Sequence, residues 1–194
     1  MDKEMFQFYK NALMNNLCDE YKGMWQTANT DKEKLVKLAM MQQSIPYVAT
    51  YCYNGNGLTK EYIETEFKDY INGKKTLQDC DGINGYTYGL YVGYSGDINV
   101  CDDVLSLMWC NDTLASVDTS KCPIIYVNNK STCYLAANGY NTIRVYLFDE
   151  SEINLSDIDE TSEIVIYRYS ANCRVVLGKY CLGRVKQFNK KLVL

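Results

Sequence analysis

Six basic side chains, and no acidic ones, lie in "CRVVLGKYCLGRVKQFNKKLVL", residues 173–194: Arg174, Lys179, Arg184, Lys186, Lys190 and Lys191. Tyr180 and Phe188 are interleaved with them. Cations mixed with aromatic rings can follow a phosphate backbone and stack on bases. A second group, Asp79, Asp81 and Asn84 in "DCDGINGY", has part of the spacing of a calcium loop, but Leu90 stands where the twelfth-position carboxylate belongs. It reads as an Asx-rich turn. A third group, Asp157, Asp159 and Glu160 in "LSDIDE", gathers carboxylates of the kind a glycosidase uses in pairs. Among 24 acidic residues nothing singles out a pair, and the cluster reads as a solvated loop between strands.

The absences are as informative. The chain has no histidine, which removes Ser-His-Asp and Cys-His nucleophile systems, His-ligated metals and imidazole acid–base chemistry. Its nine cysteines include no two spaced two to four residues apart, so zinc-knuckle spacing is missing. Neither GxxxxGK[ST] nor GxGxxG occurs. The expectation is a protein that is not an enzyme, with no catalytic residues, no metal and no cofactor. The first residues, "MDKEMFQFYK", do not form a signal peptide, so the thiols are expected to be free in a reducing compartment. No apolar run reaches membrane-spanning length, so no membrane partner is expected.

Charge is segregated along the chain. Residues 1–75 are neutral, 76–120 carry net −7 with no Lys or Arg, 121–172 carry net −3, and 173–194 carry net +6. The overall charge of −4 and pI near 4.9 disfavour nucleic acid as a partner. Two readings of the basic tail remain. It is a solvated last strand, or it meets the acidic 76–120 segment of its own or a neighbouring copy.

Three helices are expected to lead the chain. Phe6, Tyr9, Leu13 and Leu17 recur at helical steps. Thr30 and Glu33 have capping-box spacing before Leu35 and Leu38, and Thr59 caps a third helix that ends near Gly73. The stretch 76–120 is a Gly- and Tyr-rich acidic connecting region. From residue 121, "PIIYVNN", "STCYLAA", "TIRVYLFDE", "SEIVIYRYS" and "CRVVLG" are short β-rich runs with turn residues between them. In "TIRVYLF", Ile143, Val145 and Leu147 share one face, while Arg144, Tyr146 and Phe148 share the other. The expected fold is α+β: a helical region over 1–75, the connecting region over 76–120, and an antiparallel β-sandwich or small barrel over 121–194. No fixed-period repeat is visible.

The texture of "GYNTIRVYLFDES", "SEIVIYRYSANCRV", "GKYC…VKQFNKKLVL" and "NGLTKEYIETEFKDYINGK" resembles small virion proteins of crAss-like tailed phages of gut Bacteroidota. That resemblance implies a head–tail connector, tail or capsid-attached subunit, assembled in the host cytoplasm and found in the virion. It supplies no residue-level motif. The expectation is a structural subunit that partners other virion proteins and forms a homo-oligomer. Its contact residues are Tyr146, Tyr167, Tyr169, Arg184, Lys186, Phe188, Lys190 and Lys191. Reversing Lys186, Lys190 and Lys191 to Glu should impair assembly. The rival expectation is a glycan-binding sandwich or adhesin module in which Tyr86, Tyr88, Tyr91 and Tyr94 stack on sugar rings.

Overall fold

The structure, a computed structural model, describes residues 3–14, 19–29, 31–39, 62, 65–66, 68, 78–79, 87–92, 95–100, 104–110, 114–119, 124–139 and 142–191. These fall into two units, Met1–Tyr70 and Ile71–Leu194.

In the first unit, helices α1 (Lys3–Met14), α2 (Asp19–Ala28) and α3 (Lys32–Ala39) bury Met5, Tyr21, Trp25, Ala28, Leu35 and Leu38. Among the described α1 side chains Met5 is buried, while the expected Phe6 is exposed with the Lys10 ammonium over its ring; the expected Tyr9 and Leu13 side chains and Leu17 lie outside what is described. Helix α2 is an addition to the expected set, because Gly23 weakens its helical signal. It closes on Asn29 in the left-handed region, whose N–H donates to the Trp25 carbonyl at 3.1 Å. The cap of α3 is Asp31, one residue past the expected Thr30, with its carboxylate accepting the Lys34 N–H at 3.1 Å. Lys34 also lowers the Asp31 pKa, chiefly through this hydrogen bond. Of the expected third helix only residues 62, 65–66 and 68 are described; there Glu66 pairs with Lys32 at 2.5 Å.

The second unit corrects the expected fold. Its strands form two sheets, and from β2 (Thr87–Val92) onward the chain passes from one to the other at every step. One sheet holds β1 (Gln78–Asp79), β2 (Thr87–Val92), β4 (Val104–Cys110), β6 (Ile124–Val127), β8 (Thr142–Leu147), β10 (Glu163–Arg168) and β12 (Arg184–Asn189), side by side in that order. The other holds β3 (Ser95–Val100), β5 (Leu114–Thr119), β7 (Thr132–Ala137), β9 (Glu152–Ile158) and β11 (Arg174–Cys181). Apart from the short antiparallel β1–β2 pair, every described pairing is parallel. This is a β-solenoid with two strands per coil, not an antiparallel sandwich or barrel.

The same alternation serves both architectures. Ile143, Val145 and Leu147 of β8, Ile164 and Ile166 of β10, Ile153, Leu155 and Ile158 of β9, and Cys133 and Leu135 of β7 enter one shared core. Each fully buried aliphatic side chain contributes roughly 1.5–3 kcal/mol. In a hairpin, however, consecutive strands hydrogen-bond each other. Here they face each other through side chains, and the hydrogen bonds run to the strand one coil away.

Two stacks of turns make this possible. In the first, Asn129 and Asp149 both adopt φ 55°, a region that Asx residues tolerate. They interlock across coils: Glu150 N–H donates to the Asn129 carbonyl at 3.1 Å, and Asn129 N–H to the Asp149 carboxylate at 3.2 Å. In the second, Asp159 is a hub rather than a solvated loop carboxylate. It accepts from Thr161 N–H and Oγ1 at 3.1 and 2.9 Å, from Ser162 Oγ at 2.7 Å, and from Gly139 N–H of the preceding coil. These bonds, led by Ser162, pull its carboxyl down to about 2. Gly183 closes the next coil onto this turn; a Cβ there would lie 2.5 Å from Ile158 Cγ2 and 2.9 Å from the Asp159 carbonyl.

A candidate protein-contact surface on the C-terminal coil

Strand register decides which side chains meet. Tyr126, Tyr146, Tyr167 and Phe188 are Cα partners across four successive strands. Their rings stack face to face with centroids 4.9, 4.9 and 5.7 Å apart. A second, shorter column runs alongside, with Phe148 on Tyr169 at 4.9 Å. Adjacent strands lie about 4.8 Å apart, which is also the spacing stacked rings prefer, so the ladder needs no distortion. Burial pushes up the phenol pKa of Tyr126, Tyr146 and Tyr169, with neighbouring phenols adding to it.

Five of the expected contact residues are brought to this face. Tyr146 and Tyr167 stand in the main column and Tyr169 in the second, Phe188 ends the main column, and the Lys190 ammonium sits 5.6 Å from the Tyr167 ring. The described aromatics on this face pack on each other: Tyr146 and Tyr167 have a ring against both faces, and Tyr126 and Phe148 are buried. Phe188, 44% exposed, has no described ring on its far side.

Arg184 and Lys186 have a different part. Both reach Glu163 on the adjacent strand, Arg184 at 4.0 Å and Lys186 in close contact. The Lys186 hydrogen bond holds the Glu163 carboxyl below its ordinary range, with Arg184 adding to the effect. Across the core, Arg174 pairs with Glu152 at 3.2 Å. Lys179, Lys190 and Lys191 form no ion pair with a described residue. Half of the tail's charge is thus matched one coil back, and half is left facing outward.

The core itself changes character here. The inward column Ile125, Val145, Ile166 continues as Gln187, and the column Val127, Leu147 continues as Arg168 and Asn189. The Arg168 guanidinium turns to the Cys173 carbonyl at 2.6 Å. Large apolar side chains nonetheless reach solvent on this coil: Leu177 is 55% exposed, Tyr180 61% and Leu182 68%. Among the described residues no strand pairs with the outer edge of β11 or β12, so their backbone donors and acceptors are open to a partner strand.

Several members of this surface escaped sequence reasoning: Tyr126, Phe148, Glu152, Glu163, Leu177 and Leu182. Tyr126 was detectable from spacing, because Tyr126, Tyr146, Tyr167 and Phe188 follow each other at 20- or 21-residue steps, and Phe148 likewise stands 21 residues before Tyr169. Of the expected sugar-stacking residues, Tyr88 and Tyr91 lie in β2, far along the strand order from this coil, and Tyr86 and Tyr94 lie outside the described residues. Cys133, Cys173 and Cys181 are free, and burial raises the pKa of all three thiols. An open groove of about 590 Å³, lined by Lys130, Thr132, Glu150, Glu152, Asn172 and Arg174, runs along the first turn stack. No group of three or more potential metal ligands occurs among the described residues, and no described helix is long and apolar enough to cross a membrane. No protein-family model matches this chain, and neither the curated proteins nor the solved structures yield a match.

Proposed function

We propose that this protein is a non-enzymatic structural subunit that works through protein contacts made at its C-terminal coil. The observation that carries the reading is the composition of that coil. Two strand edges, exposed Leu177, Tyr180, Leu182 and Phe188, and Lys179, Lys190 and Lys191, which form no ion pair with a described residue, lie on this one coil. Apolar anchors rimmed by charge are what a protein interface uses, the anchors for affinity and the charge for orientation. The solenoid supports the reading as a stiff scaffold, since each coil rests on the next through ladder hydrogen bonds and stacked rings.

The likeness to virion proteins of crAss-like phages gives this proposal its setting, a connector, tail or capsid-attached position in the particle. The test is whether the chain travels with purified phage particles through a density gradient. A Leu177→Asp/Leu182→Asp variant should fold, by its far-ultraviolet dichroism, and stay at the top of the gradient. A parent chain that never enters the particle fraction would remove the virion setting. A folded variant that enters as well as the parent would remove the C-terminal coil as the contact.

A further inference from the structure

The strand order puts the two charged stretches at opposite ends of the solenoid. The net −7 segment, residues 76–120, contains strands β1 to β5; the net +6 segment, residues 173–194, contains β11 and β12. From β1 to β12 is six strand spacings in one sheet, and from β3 to β11 is four in the other. At about 4.8 Å per spacing these are roughly 29 and 19 Å. Both exceed the Debye length of about 8 Å at physiological salt, so the described strands at the two ends do not neutralise each other within one chain. Asp79 on β1 and exposed Asp97 on β3 mark the acidic end, and Lys179, Lys190 and Lys191 mark the basic one.

We propose that the basic C-terminal coil of one copy docks head to tail on the acidic end of the solenoid of a second copy. This rests on the protein-contact reading above and names its partner. A second copy offers the complementary charge that the docking coil lacks. It also rules out the symmetric alternative, because two basic ends brought face to face would repel. The apolar anchors are the exposed Leu177, Tyr180, Leu182 and the open face of Phe188. A contact between two different patches does not close on itself by necessity, so the product is a ring or an open row of subunits rather than a two-fold dimer.

The test uses the full chain in sedimentation velocity at about 50 mM and about 1 M salt, where the Debye length shrinks from well over 10 Å to about 3 Å. Self-association is expected at low salt and at least tenfold weaker at high salt. A Lys179→Glu/Lys190→Glu/Lys191→Glu variant avoids Lys186, whose loss would unpair Glu163. It should be monomeric, as should an Asp79→Lys/Asp97→Lys variant, each with parental far-ultraviolet dichroism. An equimolar mixture of the two should associate again as one-to-one pairs, since the unaltered basic coil of the second variant meets the unaltered acidic end of the first. An acidic-end variant that associates like the parent, or a mixture that stays monomeric, would overturn the proposal. Neither result touches particle binding, which the gradient experiment reads separately.

Discussion

Removing one ring from the middle of the aromatic column should cost more than removing the ring at its end. Tyr146 stacks on Tyr126 and on Tyr167, both at 4.9 Å, with Tyr169 at 6.4 Å. Each close stack contributes about 0.5–1.5 kcal/mol beyond burial, so Tyr146→Ala loses roughly 1–3 kcal/mol of stacking. The buried part of the ring adds about 1 kcal/mol, for a total of roughly 2–4 kcal/mol. Phe188 has one stacked neighbour at 5.7 Å and is 44% exposed, so Phe188→Ala should lose about 0.5–1 kcal/mol of stacking and about 1 kcal/mol of burial, roughly 1.5–2 kcal/mol in all. Tyr146→Phe keeps the ring and should stay close to the parent. The assay is urea unfolding followed by the β-sheet dichroism signal, supported by amide hydrogen exchange in β8 and β10. A Tyr146→Ala cost no larger than that of Phe188→Ala would refute the column as a cooperative element. So would a Tyr146→Phe cost equal to that of Tyr146→Ala.

Three further outcomes follow from the same geometry. Tyr126, Tyr146 and Tyr169 have folded pKa values above the ordinary 10.0, so their stabilisation is present below pH 10 and is lost as pH rises through the folded values. A phenolate absorbance titration should show a fraction of tyrosines that ionises only as the sheet signal is lost. Asp159 has the opposite sign: its contribution is present above the unfolded value of 3.8 and is lost as pH falls through about 2. Asp159→Asn should therefore lower the melting temperature at pH 6 and reduce the dependence of stability on pH in the acid range. Gly183→Ala brings a methyl group against Ile158 and two backbone carbonyls and should cost about 1–3 kcal/mol in the same urea assay.

After residue 121 most strands were legible and their partners were not, while the stretch 76–120, read as a connecting region, holds β1 to β5. The alternation of Ile143, Val145 and Leu147 located β8 and its inward face, and all three are fully buried. Alternation reports which side chains go inward and says nothing about which strand supplies the hydrogen bonds, so a sandwich and a solenoid look alike. The register that separates them is a repeat, and here it drifts. Thr87 pairs with Val104 after 17 residues and Glu152 with Arg174 after 22. From β6 to β12 the step in one sheet settles at 20 or 21 residues, and the aromatic column is the part of that repeat with a distinctive residue type. Strand β9 hid for a related reason: "LSDIDE" looks like a polar loop, yet Leu155 and Ile158 are buried and Asp159 ties the turn. At the C-terminal coil, Tyr146, Tyr167, Phe188 and Lys190, expected as contact residues, stand beside one another. The pairing of Lys186 with Glu163 depends on the parallel register of β10 and β12, which no local pattern in the sequence specifies.

Head-to-tail docking of the basic coil on the acidic end of another copy can be read directly by zero-length coupling of lysines to carboxylates. An equal mixture of unlabelled and nitrogen-15-labelled chains is coupled and analysed by mass spectrometry. Such docking predicts mixed-isotope peptide pairs joining Lys179, Lys190 or Lys191 to Asp79 or Asp97. The Lys186–Glu163 pair should couple only within a chain, without isotope mixing. Coupling of the tail lysines to Asp79 or Asp97 that never mixes isotopes would contradict it, as would mixed pairs that join tail lysines to carboxylates away from the acidic end.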